Sequence, residues 1–223
     1  MVIDRLPERE LGAPGESAPP RSENIRREED GIAAAARERL LGQRAVTLWL
    51  TGLSGSGKSS IARELEQRLH QSGRHVCILD GDNLRFGLNR DLAFSTEDRR
   101  ENIRRIAEVA RLFNDAGTIV LVPVIAPFRA DRERARETIG PDRFVEIFLS
   151  TPLDVCESRD TKGLYRRARA GEIEEFTGIS SPYETPRSPA LTLDTSRRSV
   201  GDCAEAILAQ IGPRIRLREA RDS

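Results

Sequence analysis

The stretch Gly52-Leu53-Ser54-Gly55-Ser56-Gly57-Lys58-Ser59 decides how the chain is read. It matches the phosphate-binding loop (P-loop) pattern G-x-x-x-x-G-K-[ST], and its flanks are those the pattern needs. The apolar run Val46-Thr47-Leu48-Trp49-Leu50 leads in, and a helical pattern from Ser60 to His70 leads out. In a loop of small residues, successive backbone N–H groups turn inward and hold phosphate oxygens. The N-terminus of the following helix adds its partial positive charge. Residues Gly52 to Ser60 are therefore expected to hold a nucleoside triphosphate. Lys58 would reach the β- and γ-phosphates, and the Ser59 hydroxyl would ligate Mg²⁺.

Outward from this loop the pattern alternates strand and helix, which predicts an α/β domain with an open parallel sheet covered by helices on both faces. Strands are expected over 46–51, 75–79, 118–125, 143–149 and 191–194, giving a five-stranded sheet of P-loop NTPase type. Helices are expected over 58–71, from about Ser95 to Gly117, over 131–139, from Thr151 to Ser158, and over 200–211. Ser95-Thr96-Glu97-Asp98 resembles a capping box, with Ile103, Ile106, Ala110 and Phe113 on one face of the helix it opens. Residues 1–44 are rich in Pro, Gly, Glu and Arg and read as a partly disordered arm. An Ala-rich charged part, Ile25 to Leu41, has the composition of a helix docked on the domain. The P-loop domain then runs over 45–223, with a polar, basic segment over about 160–189 that is too long for a plain connection.

Composition narrows the class. The 223 residues carry 36 basic and 36 acidic side chains, a formal net charge of +0, so nothing points to a general nucleic-acid surface. No apolar run approaches the ~20 residues of a bilayer span, and the N-terminus lacks the order of a secretory signal. Cys77, Cys156 and Cys203 read as small buried hydrophobes, and the cytoplasm as the compartment. The 36 basic residues include only two lysines, Lys58 and Lys162. A compact ammonium suits Lys58 between phosphates, where a planar fork would not fit, and the same logic marks Lys162 as a second anion contact.

Ligands of an open parallel sheet bind beyond the C-terminal ends of its strands. Asp80-Gly81-Asp82-Asn83, with Arg85, follows the second strand, and two carboxylates there suit Mg²⁺ and the proton of an attacking hydroxyl. Which of Asp80 and Asp82 does which stays open. Ala126-Pro127-Phe128-Arg129 follows the central strand. Lys162-Gly163-Leu164-Tyr165-Arg166-Arg167-Ala168-Arg169 lies in the long segment, where a kinase of small molecules needs a lid to keep water from the γ-phosphate. No separate Walker B carboxylate and no guanine-reading Asn-Lys-x-Asp motif are present. That pattern disfavours a motor ATPase or GTPase.

Together these residues resemble the adenylylsulfate kinase (APS kinase) family over about Val46 to Leu193. Besides the loop, the resemblance rests on Leu79-Asp80-Gly81-Asp82-Asn83-Leu84-Arg85, Gly87-Leu88-Asn89-Arg90-Asp91-Leu92 and Asp98-Arg99-Arg100-Glu101-Asn102-Ile103-Arg104-Arg105. It continues through Lys162-Gly163-Leu164-Tyr165, Ala168-Arg169-Ala170-Gly171-Glu172-Ile173 and Phe176-Thr177-Gly178-Ile179. The resemblance implies transfer of the ATP γ-phosphate to the 3′-hydroxyl of adenosine 5′-phosphosulfate, in a homodimer of the sulfate-activation pathway. Association with an ATP sulfurylase is a further partner expectation. Carried onto matching positions, Asp82, Asn83, Leu84, Arg85, Phe94, Arg99, Asn102, Ile125, Lys162 and Phe176 form the acceptor side. Phe94 and Phe176 would sandwich its adenine. Lys58, Asp80 and Asp82 carry the chemistry, with Ser59 and Asp80 on the metal. Three positions depart from the pattern: Phe86 stands for a usual His, Ala126 for a Ser proposed in some members as phosphorylated, and Ser180 for a usual Asp. Direct in-line transfer is then the simpler route. The alternatives are a P-loop kinase of another small alcohol, or a non-catalytic nucleotide-binding subunit of a sulfurylase complex.

Overall fold

The computed structural model describes residues 31–160 and 162–217. The greater part of the expected arm, residues 1–30, lies outside the described residues. Its described end contains α1 (Ala34–Leu40), within the stretch read as a docked helix.

Strand β1 (Thr47–Thr51) is buried at every residue, as a continuous apolar run in a two-sided parallel sheet should be. The other strands are β2 (Val76–Ile78), β3 (Ile119–Pro123), β4 (Phe144–Leu149) and β5 (Leu191–Leu193). All pair in parallel, in the order β2-β3-β1-β4-β5. The chain passes from β1 to β2 beyond β3, and later crosses to β4 on the other side of β1. Such a reversal opens a crevice at the C-terminal ends of the strands, next to the Gly52–Ser59 loop.

Side chains of β1 alternate between the two faces. Leu48 and Leu50 pack with α2 (Lys58–Gln71) and α8 (Val200–Ile215). Trp49 packs with α4 (Thr96–Asp115) and α5 (Arg129–Ile139) on the opposite face. A third apolar cluster forms beyond the strand ends. Cys156 of α6 (Leu153–Ser158) meets Tyr165 and Ala168 of α7 (Leu164–Arg169), with Phe176. The segment expected as a lid thus has a small core of its own.

Three details differ from the sequence expectation. Asp80 to Arg85, where no helix was expected, holds the short helix α3 (Gly81–Arg85). Helix α8 runs through Pro213 to Ile215 instead of stopping at Ile211. Ile215 is buried, and its carbonyl accepts a hydrogen bond from the Arg44 N–H at 2.8 Å, which anchors the extra turn despite the proline. Gln43, on the arm side of the expected boundary, is fully buried. Its Nε2 donates to the carbonyls of His75 and Gly117, both at 2.8 Å, and its Oε1 accepts from the His75 N–H at 2.9 Å. One amide side chain therefore joins the approach to β1 to the segments entering β2 and β3.

Candidate active site

The loop after β1 needs glycine where the chain approaches other backbone. A Cβ on Gly52 would lie 2.7 Å from the Leu149 carbonyl oxygen, and one on Gly55 2.7 Å from that of Cys156. Gly55 also sits at φ +74°, a left-handed conformation that side chains disfavour. Lys58, in the first turn of α2, is buried and donates to the carbonyls of Gly52 at 2.9 Å and Leu53 at 2.6 Å. Burial pushes its ammonium down to about 8, against the opposing pull of Cys156, Asp80 and Asp82. Ser54 and Ser56 are tied in place: Tyr165 of α7 donates to the Ser54 carbonyl at 2.9 Å, and Thr195 Oγ1 to the Ser56 carbonyl at 3.1 Å. Ser60 is exposed one residue further along α2.

The Ser59 hydroxyl donates to Asp80 Oδ2 at 3.0 Å, joining the loop to the end of β2. The other oxygen of Asp80 caps α3, accepting from the N–H groups of Asp82 at 2.9 Å and Asn83 at 3.4 Å. Asp80 is therefore held by both oxygens. Asp82 is exposed and forms an ion pair with Lys162 of the lid segment. Lys162, one of the two lysines that composition singled out, thus pairs with one of the two carboxylates that follow the second strand.

Among the residues expected on the acceptor side, Arg85 donates to the carbonyls of Leu92 at 3.0 Å and Ala93 at 2.7 Å, and its guanidinium lies 4.4 Å above the Phe94 ring. Arg99 bridges two segments: it donates to the Phe94 carbonyl at 2.8 Å, to Thr177 Oγ1 at 2.8 Å and to the Glu175 carbonyl at 2.6 Å. Phe94 and Phe176 are thereby brought to the two ends of one guanidinium, but their rings do not face each other. Phe94 is exposed under Arg85, whereas Phe176 is buried edge-on against Tyr165, with centroids 5.0 Å apart. Asn102 is buried on α4, its Oδ1 accepting from Asn89 Nδ2 at 3.0 Å. Leu84 packs at the edge of the α4/α5 core, and Ile125 accepts from Thr51 Oγ1 at 2.5 Å.

Of the three departures, Phe86 is 89% exposed and makes no core contact. Ser180 Oγ accepts the Phe176 N–H at 2.9 Å and so closes the turn that positions Phe176. Ala126 is buried at φ +44°, a rare conformation for a residue with a Cβ.

Several residues at the site carried no distinguishing signal in the sequence. Arg159 donates to Thr195 Oγ1 and to the Thr195 carbonyl, both at 2.8 Å, and reaches the Gly55 carbonyl at 3.4 Å. Thr195 in turn pairs with Thr151 Oγ1 at 2.8 Å. This cluster braces the loop from the side of β4 and β5. One arginine among 34 gives no sign of such a place.

Comparison with known proteins identifies relatives of the chain. A family model for adenylylsulphate kinase matches residues 44–194. An adenylyl-sulfate kinase of Prochlorococcus marinus is 53% identical over 174 residues, which cover 78% of this chain and 87% of that protein. The bifunctional enzyme NodQ of Azospirillum brasilense is 50% identical over 210 residues, 93% of this chain but 34% of that protein. The chain thus spans about a third of the length of the bifunctional relatives it matches. The solved structure of the Mycobacterium tuberculosis APS kinase CysC in complex with AMPPNP and APS is 50% identical and superposes with a TM-score of 0.73, covering 76% of this chain and 98% of that one. The chain belongs to the adenylylsulphate kinase family.

Proposed function

We propose that the chain transfers the γ-phosphate of ATP to the 3′-hydroxyl of adenosine 5′-phosphosulfate, giving 3′-phosphoadenosine 5′-phosphosulfate. The observation that carries the reading is the meeting of Lys58, Ser59 and Asp80 at the loop with Asp82 and Lys162 just beyond it. The acceptor arginines Arg85 and Arg99 lie on the elements that follow. The complex of the Mycobacterium tuberculosis relative with AMPPNP and APS supports both substrates.

The roles divide by what each side chain is already bonded to. The loop N–H groups and Lys58 bind the triphosphate and spread its charge. A hydroxyl and a carboxylate 3.0 Å apart at the head of α2 suit Mg²⁺, held by Ser59 and Asp80. Among the described residues no group of three or more His, Cys, Asp and Glu side chains could hold a metal ion. Magnesium in kinases usually keeps water and phosphate oxygens for its other positions. When bound, it neutralises charge on the β- and γ-phosphate oxygens. With both Asp80 oxygens engaged, Asp82, held only by its ion pair with Lys162, is the carboxylate that orients the acceptor hydroxyl and accepts its proton. Lys162 sits on Asp82 until an anionic acceptor competes for it. Arg85, Arg99 and Lys162 then bind the phosphosulfate, and Phe94 offers its exposed face to the base. With alanine at 126, phosphoryl transfer passes directly from donor to acceptor.

We further read the chain as a homodimer able to associate with an ATP sulfurylase. Fusion in the bifunctional relatives supports the second part. Three free cysteines suit a cytoplasmic location, and among the described residues no helix is long and apolar enough to cross a membrane. The test is a coupled assay of ADP release with adenosine 5′-phosphosulfate and Mg²⁺. Turnover should need both, and no turnover at saturating acceptor would refute the assignment.

A further inference from the structure

We propose that Arg132, on α5, is a positioning residue for the acceptor: one buried guanidinium clamps the loop after β3 to the returning end of the lid. The inference rests on the proposed transfer to adenosine 5′-phosphosulfate.

Arg132 is 3% exposed, and its three nitrogens end on three different segments. Nε donates to Glu146 Oε1 on β4, Nη1 to the Ala126 carbonyl and Nη2 to the Glu184 carbonyl, each at 2.7 Å. The guanidinium also faces the Tyr183 ring at 5.7 Å. The circuit closes on the other side. Tyr183 pairs its hydroxyl with Thr51 Oγ1 at 2.9 Å, and Thr51 Oγ1 donates to the Ile125 carbonyl at 2.5 Å. Thr51 immediately precedes the first glycine of the phosphate loop. Arg132, Ala126, Ile125, Thr51, Tyr183 and Glu184 therefore form one ring that ties the phosphate loop, the loop after β3 and the returning end of the lid segment together.

Charge neutralisation alone does not account for this arrangement. Pairing with Glu146 uses one donor, yet the other two bonds reach the backbone of the two segments that must be in register for transfer. The strain in the backbone points the same way. Among the described residues two non-glycines have positive φ, Ala126 at +44° and Glu175 at +51°. The carbonyl of each accepts from an arginine, Ala126 from Arg132 and Glu175 from Arg99. Such conformations persist only where the surroundings hold them. If Ala126 relaxed, its carbonyl would swing away and carry Ile125 with it. Only a planar fork spans three acceptors in this way; a lysine at the same place is a single point charge.

The test compares wild type, Arg132→Lys, the double variant Arg132→Lys/Ala126→Gly, and Tyr183→Phe, in kcat, in KM for each nucleotide and in thermal melting. For Arg132→Lys, KM for adenosine 5′-phosphosulfate should rise about tenfold while KM for ATP stays within about twofold. Glycine adopts positive φ without strain, so adding Ala126→Gly to that background should recover about threefold of the loss. Wild-type kinetics in Arg132→Lys, or an equal rise in both KM values, overturns the proposal, as does a double variant no better than the single one. Should Arg132→Lys fail to fold, Tyr183→Phe opens the ring at the opposite side by one hydroxyl. It should then raise the acceptor KM about threefold, and an unchanged value overturns the proposal. A wild type that does not use the acceptor sinks the assigned reaction and this inference with it. A working wild type with an indifferent Arg132 sinks this inference alone.

Discussion

Lys58 shows how the site is poised before nucleotide arrives. Burial pushes its ammonium down to about 8, and its protons go to the Gly52 and Leu53 carbonyls. A triphosphate brings negative charge against that nitrogen and raises its pKa again. The sign follows: above about pH 8 the free protein has lost the proton that the complex requires. ATP affinity should therefore fall as pH rises from about 8 to about 9.5, approaching tenfold per unit. Calorimetry near pH 9 in buffers of different ionisation enthalpy should show proton uptake on ATP binding; none would contradict the role of Lys58. Lys58→Ala should abolish transfer with the fold retained, judged by a cooperative melt beside absent turnover. Lys162→Arg makes a finer test, because its charge is kept and only the point-like head is lost. A rise in acceptor KM of about threefold or more is expected, and wild-type kinetics would mean that any cation serves there.

At the scale of elements, the approach to β1 hangs on one side chain. Gln43→Ala leaves the His75 N–H and the carbonyls of His75 and Gly117 without the partner they have now. At about 1 kcal/mol for each lost bond, the stability loss should be about 3 kcal/mol. It should appear as a lower denaturant midpoint with an unchanged slope. A loss below about 0.5 kcal/mol would mean that water replaces the amide without cost. The sequence made the strands legible because β1 and β3 are buried on both faces and so read as unbroken apolar runs. Helix α3 was hidden, because five residues give no periodicity and Asp80 looked like chemistry alone, not also a cap. Lysine was informative because it is rare here; arginine was mute because it is everywhere. Hence Lys162 stood out, while Arg132 and Arg159 did not. The orientation of Phe94 and Phe176 was likewise out of reach. Which ring meets Arg85 and which meets Tyr165 depends on how the lid core packs, and spacing along the chain does not encode that.

Across the whole molecule, the segment read as a lid is fastened to the body at sites that nucleotides would occupy or adjoin. Tyr165 bonds Ser54 in the phosphate loop, Arg99 bonds Glu175 and Thr177, and Lys162 pairs with Asp82. Nucleotide binding should therefore stabilise the domain as one unit rather than the loop alone. A non-hydrolysable ATP analogue at about 100 times its Kd supplies about 2.7 kcal/mol. For a domain of this size that corresponds to a rise in Tm of about 5–10 °C. Gly55→Ala gives the discriminating control. Its Cβ would stand 2.7 Å from the Cys156 carbonyl, a backbone atom at the base of the lid core, at a φ of +74°. The phosphate loop and α6 would have to part to admit it. Gly55→Ala should thus melt cooperatively but show little of the analogue-induced rise. A full rise in that variant would mean that the loop can hold phosphate while detached from α6, and that the lid is not mechanically joined to the nucleotide through Gly55.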